Sequence, residues 1–309
     1  MTEHPGISGV VPVLQMPYQD DERIDYETLK KEVDHVLSAG SDGVTLALAS
    51  ELIRLTRDER LELTRLLPEM TADCNLSATV TISVGAETSR DAAMYAEAAE
   101  KAGAEAVMAI PPIATPLSAE EKFAYYSAIH NAVTLPLVVQ DASGYMGGEK
   151  MTVEIMARLR GELGPRIYFK PEGIPIGPTI SLLQLALGGD GVIFDGSGGY
   201  LLIDSFRRGI SGTMPGSDLV RGIVEIWRAL KKGNEDRAYE VYFPLAAVVI
   251  LQTGSLDTFL AVEKHLLVKQ GVFRNSFIRR PVSYVLDRHT AAEAERLYDR
   301  LCAVLKKRA

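Results

Sequence analysis

Lys170 is the residue best placed to act as a nucleophile. It ends a short apolar run, Ile167-Tyr168-Phe169, that the Leu163-Gly164-Pro165 turn introduces, and Glu172 follows two residues later. β-Branched and aromatic residues after such a turn predict a strand. Side chains alternate along a strand, so Tyr168, Lys170 and Glu172 share one face while Ile167 and Phe169 take the other. Withdrawal from water disfavours the ammonium form of a lysine, and the free amine attacks carbonyl carbon. A carboxylate beside it can move a proton. The same two residues could also form an ion pair that only caps a strand.

Other chemistries find less support. His4, His35, His130, His265 and His289 fall in predicted helices or near a terminus, which gives neither a metal-ligand spacing nor a catalytic triad. Cys74 and Cys302 have no close-spaced partner, so no zinc site or disulfide framework is expected. Glu51, Asp141 and Glu172 could gather a hard cation through oxygen ligands, but the set lacks a histidine, and no metal is expected. Gly196-Ser197-Gly198-Gly199 has the richness of a phosphate cradle without the Lys-Ser/Thr ending of a P-loop, and reads as a tight turn.

The elements that must position Lys170 alternate along the chain. Strand-like runs at 9–14, 43–48, 79–84, 106–110, 135–140, 166–172, 191–194 and 210–213 are separated by segments with helical spacing. Ser118-Ala119-Glu120-Glu121 opens one of these helices as a capping box. Eight such units predict an α/β fold, a (β/α)8 TIM barrel, over residues 1–232. An open doubly wound sheet is the competitor, and the absence of Gly-x-Gly-x-x-Gly after the first strand counts against it. Three further helices, at 234–251, 256–270 and 290–306, form a C-terminal appendage over 233–309, packed on the barrel or on a neighbouring subunit.

The active face of such a barrel lies at the C-terminal ends of its strands. That rule gathers Pro12, Ala49, Ser50, Glu51, Gln140, Asp141, Lys170, Glu172, Gly196 and Met214, and Lys170 is the only lysine among the strand ends. With 309 residues the chain can bury a sizeable core, and a net charge of −8 with scattered cations gives no nucleic-acid or membrane footprint. The N-terminus lacks the basic and apolar regions of a secretory leader, no apolar run reaches membrane-spanning length, and a reducing, cytoplasmic setting is expected.

Taken together, Gly9-x-x-Pro12, Ser50-Glu51 after strand two, Lys170 on strand six, the glycine-rich turn after strand seven and Gly212-x-Met214 after strand eight resemble the dihydrodipicolinate synthase / N-acetylneuraminate lyase family. The likeness runs over essentially the whole chain. It implies a Schiff base between Lys170 and a small 2-keto acid, no cofactor, and a dimeric or tetrameric assembly. It also implies that Ala49, Ser50, Gln140, Gly196, Met214 and Pro12 bind substrate, with Ser50 on its carboxylate, and that Glu172 moves a proton.

Departures within the family narrow the activity. Ala47-Leu48-Ala49-Ser50-Glu51 stands where the synthase and lyase branches have Gly-Thr-Thr-Gly-Glu. Gln140 replaces the proton-shuttling tyrosine, Pro112-Ile113 a tyrosine pair, and Tyr145 the arginine that receives a dicarboxylic substrate. Val139-Gln140-Asp141-Ala142 and Phe169-Lys170-Pro171-Glu172 are instead similar to the 2-keto-3-deoxy sugar acid dehydratases. The resemblance therefore implies a dehydratase of such acids. A pyruvate-releasing aldolase, a dihydrodipicolinate synthase-like enzyme and a non-catalytic keto-acid-binding barrel are the alternatives.

Overall fold

The computed structural model describes residues 6–146 and 150–307. Its strands are β1 (Gly9–Val10), β2 (Gly43–Leu46), β3 (Thr79–Ser83), β4 (Ala106–Ala109), β5 (Leu137–Asp141), β6 (Ile167–Pro171), β7 (Phe194–Asp195) and β8 (Gly212–Thr213). Every pairing is parallel, in the orders β2-β3-β4-β5-β6 and β1-β8-β7. Single bridges join the two sheets: Val13 meets Thr45 and Gly216, and Phe169 meets Ile193. The strands thus close into a ring in chain order, the expected (β/α)8 barrel.

The first and last strands are shorter than their sequence suggests. Pro12 has no N–H to donate, and past Val10 the first strand continues as isolated contacts, with the Val11 N–H donating to the Thr213 carbonyl at 2.9 Å and the Val13 N–H to the Pro215 carbonyl at 2.7 Å. Helices start where side chains satisfy their first N–H groups. Thr56 and Glu59 form a reciprocal capping box ahead of the Arg57–Cys74 helix, and Ser118 Oγ accepts from the Glu121 N–H at 3.2 Å.

Alternation along β6 sorts its side chains as the sequence predicts. Tyr168 points into the barrel, against an interior of Val11, Val13, Met108, Val138, Phe194 and Met214. Ile167 and Phe169 point outward into a larger core shared with the surrounding helices. Val241, Leu245, Val248 and Leu301 belong to that same outer core. They come from the Glu235–Gln252 and Arg288–Lys306 helices, so the C-terminal helices pack on the barrel wall. Each such fully buried aliphatic side chain contributes about 1.5–3 kcal/mol through burial. The Leu256–Lys269 helix lies against the short turn of helix Leu48–Ser50 that follows β2.

Candidate active site

The β5–β6 register sets Gln140 directly beside Lys170. Their side chains, with Glu172, converge on a cavity of about 450 Å³ at the C-terminal mouth of the barrel. Lys170 is 3% exposed and Glu172 4%. Lys170 Nζ lies 3.2 Å from Glu172 Oε1, and Gln140 Nε2 donates to Glu172 Oε2 at 2.8 Å. Among the described residues this carboxylate is the one in ion-pair contact with the amine, and the Asp195 carboxyl feels the same charge from farther off. Burial pushes the Glu172 carboxyl up, against the opposing pull of the Lys170 ammonium and the Gln140 amide. The carboxyl is therefore held nearer to taking up a proton than a surface glutamate.

Gly196 makes room for this arrangement. A Cβ there would stand 2.5 Å from Glu172 Cγ and 2.6 Å from its Oε1, so a side chain at this position would displace the carboxylate. The rest of the glycine-rich turn is a tight βα turn. Ser197 Oγ donates to Asp195 and accepts from the N–H groups of Gly199 and Leu201, which turns both of those donors inward.

Gln140, Lys170, Glu172, Ala49, Gly196 and Met214 all line the cavity. Pro12 and Ser50, expected with them, do not. The Pro12 carbonyl accepts from the Thr45 N–H inside the sheet, and its neighbour Val13 reaches the cavity instead. The Ser50 hydroxyl donates to the Leu14 carbonyl at 2.6 Å and accepts from the Ala47 N–H at 3.1 Å, so it holds the turn after β2 rather than facing the cavity. Leu48 and Ala49 line the cavity in its place, and their N–H groups start a 3-10 turn, where no acceptor exists within the helix.

Tyr145, Leu256 and Phe259 complete the walls. The Tyr145 hydroxyl donates to the Gly196 carbonyl at 3.2 Å, and its ring meets Phe259 edge-on with centroids 6.4 Å apart. Burial and the nearby Glu172 raise the Tyr145 phenol well above its ordinary range, which keeps it a neutral hydroxyl. Sequence order gave no sign of Leu256 or Phe259, which arrive from a helix beyond the eighth unit. Tyr145 drew attention only as the residue in place of an arginine.

Glu51 is committed elsewhere. Its carboxylate pairs with Lys264, both side chains fully buried, and Lys264 also donates to the Phe277 carbonyl at 2.8 Å. Glu51 thus does not join Asp141 and Glu172, and among the described residues no three His, Cys, Asp or Glu side chains are grouped to hold a metal ion. A second buried set lies behind Gly216, where an added Cβ would collide with Glu263. There Ser217 Oγ donates to Glu32 at 2.5 Å, Gln15 Nε2 donates to Glu263, and Gln252 Nε2 donates to Asp218 at 2.7 Å. Desolvation pushes the Glu32 carboxyl up to about 8 and that of Asp218 to about 7.

Comparison with known proteins agrees with this architecture. Residues 6–172 match the Dihydrodipicolinate synthetase family. L-2-keto-3-deoxyarabonate dehydratase of Azospirillum brasilense is 31% identical over 284 residues, covering 89% of this chain and 88% of the relative. A 4-hydroxy-tetrahydrodipicolinate synthase of Archaeoglobus fulgidus is 25% identical, covering 82% and 87%. In fold, the 4-hydroxy-tetrahydrodipicolinate synthase of Methylacidiphilum fumariolicum superposes with a TM-score of 0.86 at 21% identity, covering 97% of each chain. The chain belongs to the dihydrodipicolinate synthetase family. With the family comes the class of protein, a lyase that works through a Schiff base. Among the described residues no helix is long and apolar enough to cross a membrane.

Proposed function

We propose that the protein is a cofactor-free dehydratase of a 2-keto-3-deoxy sugar acid, with Lys170 as the Schiff-base amine and Glu172 as the proton carrier. The observation that carries this is the buried Lys170–Glu172 contact of 3.2 Å, opening on the cavity. The amine attacks the C2 ketone, and loss of water leaves a protonated imine, an electron sink beside C3. Glu172, one residue past the end of β6, is within reach of a proton on C3 and of a hydroxyl on C4. Its raised affinity for protons suits a group that takes one and gives it back. Gln140 does not titrate, and fixes the Glu172 carboxylate through its amide. The N–H groups of Leu48 and Ala49 receive the substrate carboxylate, a role the Ser50 hydroxyl does not have free.

The 31% identity to a 2-keto-3-deoxyarabonate dehydratase supports dehydration over condensation or cleavage. A cytoplasmic setting and a dimeric or tetrameric assembly belong to the same proposal, and the unpaired Cys74 and Cys302 fit a reducing compartment. Borohydride reduction in the presence of pyruvate should add mass irreversibly at Lys170. A protein left unmodified would falsify the reading. Coupling turnover to lactate dehydrogenase separates dehydration from aldol cleavage, because only cleavage releases pyruvate. Thermal stabilisation by keto acids without turnover of any would mark a binding protein instead.

A further inference from the structure

Polar side chains occupy one side of the cavity. Gln140, Lys170 and Glu172 stand on or just past β5 and β6, and Tyr145 follows β5. The facing walls among the described residues carry Val13, Leu48, Met214, Pro215, Leu256 and Phe259. Leu48, Leu256 and Phe259 are part of one apolar cluster with Ile110 and Ala142. The polar residues at the end of β7 and just after it do not relieve this. Asp195 and Ser197 are fully buried, do not line the cavity, and bond to each other at 2.7 Å, while Ser205 donates to the second Asp195 oxygen at 2.7 Å. A substrate hydroxyl lodged against the apolar side would give up water without gaining a side-chain partner.

On the polar side, among the described cavity-lining residues, one buried side-chain atom has no partner at all. Gln140 is 2% exposed, and its Nε2 donates to Glu172, which fixes the amide orientation. Its Oε1 is then left buried without a donor. One acceptor in want of one donor suits a single hydroxyl. With C2 bound to Lys170 and Glu172 serving C3, the hydroxyl next in reach is that on C4.

We propose that the substrate is a 2-oxo acid with one hydroxyl, on C4 and donated to Gln140 Oε1, and a hydrocarbon chain beyond it, packed on Leu256 and Phe259. This rests on the Schiff-base dehydratase chemistry proposed above and keeps its C2–C4 unit, but puts a less hydroxylated 2-oxo acid in place of the sugar acid. Condensation of the Lys170 amine with the C2 ketone releases one water. Glu172 takes a C3 proton, and the C–H electron pair forms the enamine. That pair then expels the C4 hydroxyl, which leaves as water with the proton returned by Glu172. Addition of one water to the imine frees Lys170 and a 3,4-unsaturated 2-oxo acid. The net change is loss of one water, with no oxidant or reductant.

The test compares 4-hydroxy-2-oxopentanoate with 4,5-dihydroxy-2-oxopentanoate, which differ by one oxygen. Substrate loss is followed by mass spectrometry, and borohydride trapping at Lys170 is run in parallel on both. The monohydroxy acid should have the higher kcat/KM by about 10- to 100-fold, the range in which an apolar pocket rejects an added hydroxyl. Phe259→Asn should shrink that ratio, and Leu256→Thr does the same test should the first variant melt early. Parity or preference for the dihydroxy acid, with both acids trapped, overturns this inference and leaves the dehydratase reading standing. Failure to trap or consume either acid overturns both.

Discussion

Lys170–Glu172 and Lys264–Glu51 are both buried lysine–glutamate pairs, and they differ in what surrounds the nitrogen. Lys264 is enclosed. It touches the Glu51 carboxylate and the Phe277 carbonyl, and lies 4.8 Å from the centre of the Tyr18 ring. Glu51 in turn accepts from the Arg279 N–H at 3.3 Å and sits 3.6 Å from Arg54. Among the described residues Lys170 has Glu172 as its one ion-pair contact, and a cavity beside it. A buried lysine with its hydrogen-bonding capacity filled by protein holds structure together. One with capacity left over and space for a ligand is placed for chemistry.

Exchanging the two roles is the sharpest way to break this contrast. Lys170→Ala should lower turnover by roughly 10³-fold or more, as expected for loss of a covalent nucleophile, and leave the melting temperature near that of the parent. A correspondingly large fall in melting temperature would make Lys170 structural and erase the distinction. Lys264→Met should do the opposite. It strands the Glu51 carboxylate in the interior and should cost about 3–5 kcal/mol by denaturant unfolding, while any folded fraction still traps pyruvate.

Glu172→Gln sharpens the comparison within the cavity. It should reduce kcat by about 10²- to 10⁴-fold while borohydride trapping at Lys170 persists, since the proton carrier is lost and the amine is kept. Burial raises the Glu172 carboxyl, so in the parent kcat/KM should fall with acid at a pH above that of an ordinary glutamate. That limb should vanish in the variant.

The smallest effect belongs to the acids behind Gly216. Glu32 and Asp218 ordinarily titrate at 4.5 and 3.8, and the fold pushes them up to about 8 and about 7. Between those limits the folded state binds more protons than the unfolded chain, so stability is fullest in acid and declines as pH rises towards 8. Glu32→Gln keeps the oxygen that accepts from Ser217 and Gln15 but removes the titration. Its melting temperature should fall less steeply between pH 5 and 8, by roughly a few degrees. An unchanged slope would assign the pH dependence to other groups.

What the sequence could reveal follows the range of the interactions involved. The eight units were readable because each strand and its helix are close neighbours with local signals, such as Thr56 and Glu59 at one cap or Gly103 at another helix end. The place of Lys170 at the cavity was readable because a lysine ending an apolar strand is locally anomalous. Ser50 misled because a free hydroxyl and one bonded to the Leu14 carbonyl look alike in sequence. Glu263 and Lys264 were hidden for a different reason. In Ala261-Val262-Glu263-Lys264-His265 they read as the polar face of a helix, and only the residues meeting them from Gln15, Glu51 and Ser217 make them interior.

The Leu256–Lys269 helix lends Leu256 and Phe259 to the cavity, some 90 residues after the lysine they face. The tail therefore does more than brace the barrel: it supplies part of the wall of the pocket that holds Lys170. Grafting that one helix between relatives should shift preference among carbon chains while the strands that carry Lys170 and Gln140 stay as they are.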